Sequence, residues 1–418
     1  MHETIVPWTV NADGPKPLAA RPVDSHATVS LTPLSPPRRL LLGAGPGMVD
    51  ARVYQAMTQP VVSHVDPFFF QLTDRVHTML AAVFGTGNRF TVAISGTGTA
   101  AMEAAIGNFA GQDTPVALFV NGYFAERMSD IASRQGARLF RLDGPWGEPF
   151  DEQRAREFIL RTQPRVVAYV QAETSTGVFQ PGRAICEAAH AVGALVVADC
   201  VTSLGTMPVA VDETGIDIAF SCSQKGLCCP PGLAPITLSS RGLDVLRARR
   251  TPLRSFYLDL QLLDQYYVGA HRYHHTASAT LFYALHEGLA AIAEEGIEQR
   301  WQRHIENHEA LVAGLESLGL RMLVAPASRL STIHTPLVPN GIDEGALRTR
   351  LRDSHGIEIM GGLGPLAGKI LRIGLMGAGS TRTNVLRLLE CLEEALRAER
   401  FEPAESGVLA AERHYART

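Results

Sequence analysis

Seven short, nearly continuous apolar runs mark residues 90–238: Phe90–Ser95, Val116–Asn121, Arg138–Leu142, Val166–Gln171, Ala194–Asp199, Ile216–Ser221 and Ala234–Leu238. Runs without polar alternation belong to strands buried on both faces, which means a parallel sheet covered by helices. Between them Thr99–Ala110, Ala125–Gln135, Asp151–Thr162 and Ala184–Ala191 carry helical periodicity. Strand, helix, strand in repetition defines an α/β fold with right-handed crossovers. With 46% hydrophobic and 19% charged residues in 418, a large core is available and global disorder is excluded.

The texture changes on either side of this block. Residues 1–38 are proline-rich and aperiodic, and read as an extended or disordered arm. After the block come a long helical stretch, Ala279–Leu318, and a second unit. That unit has strands near Leu320–Val324, Ser331–Thr335 and Lys369–Leu375, and helices at Asp343–His355 and Arg382–Ala398. The expected division is a large domain over 39–295, a small C-terminal α+β domain over 296–402, and a polar tail over 403–418. A net charge of −4 gives no reason to expect nucleic acid or an anionic membrane as partner. No apolar run approaches the roughly 18–20 residues of a spanning helix. The N-terminus lacks a charged start with an apolar stretch, and Tyr415-Ala416-Arg417-Thr418 is not a peroxisomal address. Six cysteines without a Cys-x-x-Cys pair signal neither a zinc site nor a disulfide framework, so a cytoplasmic, reducing location is expected.

Four pieces of this framework carry chemistry. Ser95-Gly96-Thr97-Gly98-Thr99 follows a strand and opens a helix. Its glycines let backbone N–H groups approach an anion, and the hydroxyls of Thr97 and Thr99 and the helix N-terminus add to the attraction. The stretch also fits a dinucleotide fingerprint, but the next strand ends in Asn121-Gly122 and not in the acid that a ribose requires. A phosphate cradle or a plain helix cap remains. Asp199 closes an apolar run at the carboxyl edge of a buried strand, where it serves as a cap, a metal ligand or the partner of a cationic ring nitrogen. Lys225 follows one run later. Only three of the 38 basic Lys and Arg residues are lysines, Lys16, Lys225 and Lys369. That bias is what a G+C-rich coding sequence produces, yet a lysine kept here suits chemistry that guanidinium cannot do. An amine can lose its proton and condense with a carbonyl. Cradle, strand-end aspartate and lysine on neighbouring strand ends form the set that pyridoxal 5'-phosphate needs. Arg372, inside the apolar strand Leu371-Arg372-Ile373-Gly374, is costly unless paired, either with a substrate carboxylate or in a structural salt bridge.

Further stretches accompany these in order: Leu42–Gly47, Glu173-Thr174-Ser175-Thr176-Gly177, Asp199-Cys200-Val201-Thr202-Ser203, Ser223-Gln224-Lys225-Gly226 and Tyr273-His274-His275-Thr276. On them, residues from about Leu41 to Ala398 resemble the class V aminotransferases of fold type I, in particular the alanine–glyoxylate and serine–pyruvate (serine–glyoxylate) aminotransferases. The resemblance implies a large domain with a mainly parallel seven-stranded sheet flanked by helices, plus a smaller C-terminal α+β domain. It also implies roles. Lys225 carries the cofactor and Asp199 faces its ring nitrogen. Val201 and Phe124 pack on the ring, and Thr174 reaches its phenolic oxygen. Thr97, Gly98, Thr99 and Gln224 hold the phosphate. Tyr273 and Thr276 reach the phosphate of a neighbouring subunit, which implies a homodimer with shared sites. Arg372 clamps the substrate α-carboxylate, and the backbone near Gly45 closes the other side. Relatives often carry Ser and His where Thr97 and Thr99 stand, and the arm is longer than their usual start.

The implied activity is ping-pong transfer of an amino group between a small amino acid, alanine or serine, and a small 2-oxo acid, glyoxylate or pyruvate. The alternatives are a 2-aminoethylphosphonate–pyruvate aminotransferase, a cysteine desulfurase or lyase, and a non-catalytic scaffold. No metal is expected, since His274 and His275, adjacent on a strand, point apart and no third ligand is evident.

Overall fold

The apolar runs hydrogen-bond into one seven-stranded sheet: β1 Phe90–Ser95, β2 Pro115–Val120, β3 Arg138–Asp143, β4 Val166–Val170, β5 Leu195–Asp199, β6 Ile218–Phe220 and β7 Leu233–Leu238. Their spatial order is β3-β2-β4-β5-β6-β7-β1. Only β7 runs antiparallel, to both β1 and β6. β4 and β5 are buried along their whole length, as a sheet covered on both faces requires. The strand directions bring the carboxyl ends of β1, β2, β4, β5 and β6 to one edge. This computed structural model describes residues 33–417. Residues 33–38 are exposed and irregular, and the rest of the proline-rich arm lies outside the described residues.

Helices cover the sheet. α1 Pro67–Phe84 starts where Asp66 accepts from the Phe68 N–H at 2.8 Å, with Pro67 in the first turn, and stops at left-handed Gly85. α2 Gly98–Phe109 follows β1, and α3 Tyr123–Arg134 follows β2, so both begin at the carboxyl edge. α4 Glu152–Thr162 and α5 Arg183–Ala191 complete the crossovers. The single long helical stretch expected over 279–318 is two helices, α6 Ala279–Glu295 and α7 Ile297–Ser317. Gly296, at φ +83°, turns the chain between them.

A second hydrophobic core gathers Leu311, Leu315, Leu347, Ile373, Leu388 and Leu392, separate from the core of the large sheet. Its sheet comprises β8 Ile333–His334, β9 Met360–Gly361 and β10 Leu371–Gly374, with β10 central and antiparallel to both neighbours. α8 Glu344–His355 and α9 Arg382–Ala398 pack on it. Three expectations need correction here. The strand read over Leu320–Val324 is a single bridge from Met322 to Pro336, closed by the Leu323 N–H on the Thr335 carbonyl at 2.9 Å and the Leu337 N–H on the Arg321 carbonyl at 2.8 Å. Leu40–Leu41, assigned with the large unit, pairs in parallel with Ile357–Glu358, and Leu42 joins the second core. The polar tail of 403–418 contains α10 Gly407–Tyr415. Ser406 caps it, and Ala410, Ala411 and Tyr415, on one helical face, are buried as it packs against α7.

Candidate active site

A cavity of about 260 Å³ opens at the carboxyl edge of the large sheet. Gly45, Thr97, Gly98, Thr99, Phe124, Asp199, Val201, Gln224 and Lys225 line it, together with Pro46, Met102, Arg127 and Pro231. Five separate loops and strand ends therefore converge on one space. The cradle, Asp199 and Lys225 were singled out by their place after an apolar run, and Gly45, Phe124, Val201 and Gln224 by the family resemblance.

The cradle stands where β1 turns into α2. Thr97 is the N-cap, but its side chain makes no capping bond. A Cβ on Gly98 would lie 3.1 Å from Val201 Cγ2 and 3.3 Å from Cys222 Cβ, so any larger residue would have to push these neighbouring loops aside. The side-chain oxygen of Gln224 is buried without a hydrogen-bond partner. Gly45 has φ +106°, and a Cβ there would sit 2.5 Å from Lys225 Cε and Nζ. The lysine side chain thus occupies the space that Gly45 leaves open, and its Nζ donates to the Ala44 carbonyl.

Of the three charged groups that line the cavity, Asp199 and Lys225 are deeply buried and Arg127 is half-buried. Asp199 is 2% exposed, and its Oδ1 accepts from the Val201 N–H at 2.8 Å. Burial pushes its pKa up to about 7, against the pull of the Val201 N–H, and nearby Glu173 adds to the rise. Burial pulls the Lys225 amine below the ordinary lysine range, and the Arg372 charge lowers it further. Among the described residues, neither group has an ion-pair partner within 4.0 Å. Two charged groups held apart from counter-ions in a cavity have the character of a reactive site.

Sequence reasoning missed two residues here. Arg127 lies one turn along α3 from Phe124; its guanidinium carbon is 4.8 Å from the Phe124 ring centroid, and its Nη1 donates to Thr99 Oγ1 at 3.0 Å. It ties the aromatic wall to the cradle, and the i, i+3 spacing was the available signal. Glu173 is fully buried and accepts from the Phe124 and Ala125 N–H groups at 3.2 and 3.1 Å, and from Ser175 Oγ at 2.6 Å. The α3 N-cap is Gly122, which has no side chain to offer, so the helix requires an acceptor from elsewhere.

Four residues singled out in the sequence do not line the cavity. The Thr174 hydroxyl pairs with that of Thr202, and the Thr174 carbonyl accepts from Arg372 Nη1 at 3.5 Å. Arg372 is 6% exposed; its Nε donates to the Gly361 carbonyl at 2.7 Å, and no carboxylate of the described residues lies within ion-pair distance. Tyr273 is 58% exposed, and Thr276 is exposed in the same surface segment. His274 and His275 face Tyr257 and the Thr276 carbonyl. No three His, Cys, Asp or Glu side chains among the described residues are placed to hold a metal.

Sequence and overall fold are matched by known proteins. The family model "Aminotransferase class-V" matches residues 48–386, and the chain belongs to the class V aminotransferases, with the fold of type I. An alanine–glyoxylate aminotransferase of Felis catus is 40% identical over 88% of this chain and 89% of its own. The crystal structure of an alanine–glyoxylate aminotransferase from Nostoc sp. superposes with a TM-score of 0.87 at 45% identity, covering 88% of this chain and 98% of that one. A ureidoglycine–glyoxylate aminotransferase from Bacillus subtilis superposes with a TM-score of 0.90 at 38% identity, covering 92% and 99%. No helix among the described residues is long and apolar enough to cross a membrane.

Proposed function

We propose that this chain is a pyridoxal 5'-phosphate-dependent aminotransferase that moves an amino group from a small amino acid, alanine or serine, to glyoxylate or pyruvate. The observation that carries the reading is the pair Asp199 and Lys225, both buried and without counter-ions, in one cavity with a cradle of backbone N–H groups. The residues present fit the cofactor. An uncapped helix start suits a phosphate, and a carboxylate whose pKa burial raises to about 7 is stabilised by a cationic ring nitrogen. The chemistry such a group supplies when bound is an electron-accepting ring and a carbonyl that condenses with amines.

The chain's own groups do the rest. Thr97, Gly98, Thr99 and Gln224 hold the phosphate. Asp199 takes its ionised form against the ring nitrogen and keeps that nitrogen protonated. Val201 and Phe124 confine the ring, with Arg127 backing Phe124. Lys225 Nζ, biased towards its neutral form by burial, takes the proton that leaves the donor's Cα, and in the second half-reaction it supplies a proton to the Cα of the amino acid formed. Arg372, buried with no carboxylate partner of its own, binds the substrate carboxylate.

All three relatives named above have glyoxylate in their names, two with alanine and one with ureidoglycine, which supports glyoxylate here. A desulfurase is disfavoured because all six cysteines are buried, and such an enzyme needs a mobile one. We infer a homodimer in which Tyr273 and Thr276 complete the partner's site; their exposure, well outside their own cavity, supports this. The test is a donor screen of the cofactor-loaded enzyme against glyoxylate and pyruvate, with ureidoglycine and 2-aminoethylphosphonate included. Alanine or serine turning over with glyoxylate is the expected result. Sulfide release from cysteine without amino transfer would overturn it.

A further inference from the structure

Behind the cavity, three basic residues on the first turns of α7 make contacts that the proposed reaction does not itself call for. Arg300 is 4% exposed. Its Nε donates to the Gly205 carbonyl at 2.7 Å, and its Nη2 donates to the Gly226 carbonyl at 2.8 Å and to Cys228 Sγ at 3.2 Å. Its Nη1 reaches Glu295 Oε2 at 2.7 Å. Gly205 ends the turn that follows Asp199, and Gly226 is the residue after Lys225. One planar guanidinium therefore ties together the two loops that carry Asp199 and Lys225. Its fork geometry fixes their separation in a way that a point charge cannot.

The rest of the cluster extends this tie. Cys228 sits at φ +57°, a left-handed conformation that a cysteine adopts only when its surroundings hold it there. Its sulfur also accepts from the Ala378 N–H at 3.1 Å. His304 Nε2 accepts from the Gly377 N–H at 2.9 Å, and Arg303 Nη1 donates to the Gly377 carbonyl at 3.1 Å. The turn that follows the Arg372 strand is thus held by the same helix.

We propose that Arg300 is a positioning residue, which through the Gly205 and Gly226 carbonyls and the Cys228 thiol fixes the spacing of the Asp199 and Lys225 loops and so the place of the Lys225 amine in the cavity. This rests on the reading of Lys225 given above. A merely structural Arg300 would need only its ion pair with Glu295, which uses one of its three nitrogens.

The experiment compares wild type, Arg300→Lys and Cys228→Ala, with Lys225→Ala as control. Steady-state kinetics and melting temperature are measured on the loaded enzyme. On the cofactor-free protein, the pH dependence of reductive methylation is followed residue by residue by mass spectrometry. With three lysines in the chain, Lys225 is resolved from Lys369, which serves as an internal reference. For Arg300→Lys, kcat falls on the order of tenfold while the amino-donor KM stays within about threefold. The methylation midpoint of Lys225 moves up towards the ordinary lysine range as water reaches the loosened loop, and that of Lys369 stays put. Cys228→Ala shifts the same two readouts in the same direction by less.

An Arg300→Lys enzyme with the wild-type Lys225 midpoint, or with a kcat loss that matches only its unfolded fraction, would overturn the proposal. Should Arg300→Lys fail to fold, an unshifted midpoint and unchanged kcat in Cys228→Ala overturn it equally. Turnover by Lys225→Ala would instead overturn the functional reading. An inactive Lys225→Ala beside an unaffected Arg300→Lys overturns the positioning role alone.

Discussion

Asp199 and Arg300 are buried almost equally, at 2% and 4% exposed, yet their surroundings are opposite. Arg300 spreads its guanidinium over two carbonyls, a thiol and the Glu295 carboxylate. Asp199 has one backbone N–H, and Lys225 has one carbonyl. A buried charge is tolerated when hydrogen bonds and a counter-charge replace water; otherwise the group shifts towards its neutral form. The α7 cluster follows the first course and the cavity the second. The difference separates charges that hold the molecule together from charges kept for something that binds.

Three substitutions and a pH series test that separation, in falling order of effect. Lys225→Ala removes the only lysine in the cavity, and turnover should fall by at least about a thousandfold, with little change in melting temperature because no ion pair is lost. Comparable loss of activity and of stability would place Lys225 with the structural charges. Asp199→Asn keeps shape but not charge, and about a hundredfold loss is expected in single-turnover proton transfer, the scale of several kcal/mol typical of such electrostatic contacts. A near-normal rate would reduce Asp199 to a loop cap for Val201. For Arg372→Lys, an ammonium cannot supply two parallel donors, so catalytic efficiency should drop by about 2 kcal/mol, or roughly thirtyfold, through weaker amino-acid binding. Unaltered affinity with a lowered melting point would mean that its carbonyl contacts are its whole purpose.

The smallest effect is in the pH dependence of stability. In the cofactor-free protein Asp199 has a raised pKa, about 7, so between about pH 4 and 7 the folded state holds a proton that the unfolded chain has released. Its contribution to stability is therefore lost as pH rises through that window. Glu295 runs the other way. Burial pushes it up, but hydrogen bonds and charge from Arg303 and Arg300 more than offset this and lower its pKa. Its contribution is present above the ordinary carboxylate pKa and is lost as pH falls through the lowered one. Melting curves of wild type against Asp199→Asn should diverge in favour of the variant from pH 4 to 7, and cofactor should abolish the divergence. Parallel curves would mean that Asp199 is not strained by burial.

The large sheet was legible because its strands announce themselves as nearly continuous apolar runs, three of them ending beside residues with chemistry: Ser95 before the cradle, Asp199, and Ser221 before Lys225. Ligand sites gather at such ends in α/β sheets, so the motif order carried the cavity with it. The second core was harder, since its elements are short and one strand, Leu40–Leu41, comes from the far end of the chain. Tail residues 403–418 hid a helix because its buried face is built from Gly407, Ala410 and Ala411, with Tyr415 as its one large side chain. The α7 cluster was invisible for a different reason. Arg300 acts on carbonyls of Gly205 and Gly226, and nothing in the sequence reports which backbone atom an arginine will meet.

The central claim, that Lys225 is the lysine held in reserve for the cofactor, is most directly tested by covalent mapping. Borohydride reduction of the enzyme loaded with pyridoxal 5'-phosphate, followed by peptide mass spectrometry, should place the cofactor's mass on the peptide carrying Lys225 at near-unit stoichiometry, with none in Lys225→Ala. Attachment at Lys16 or Lys369, or the same labelling in the variant, would contradict the account.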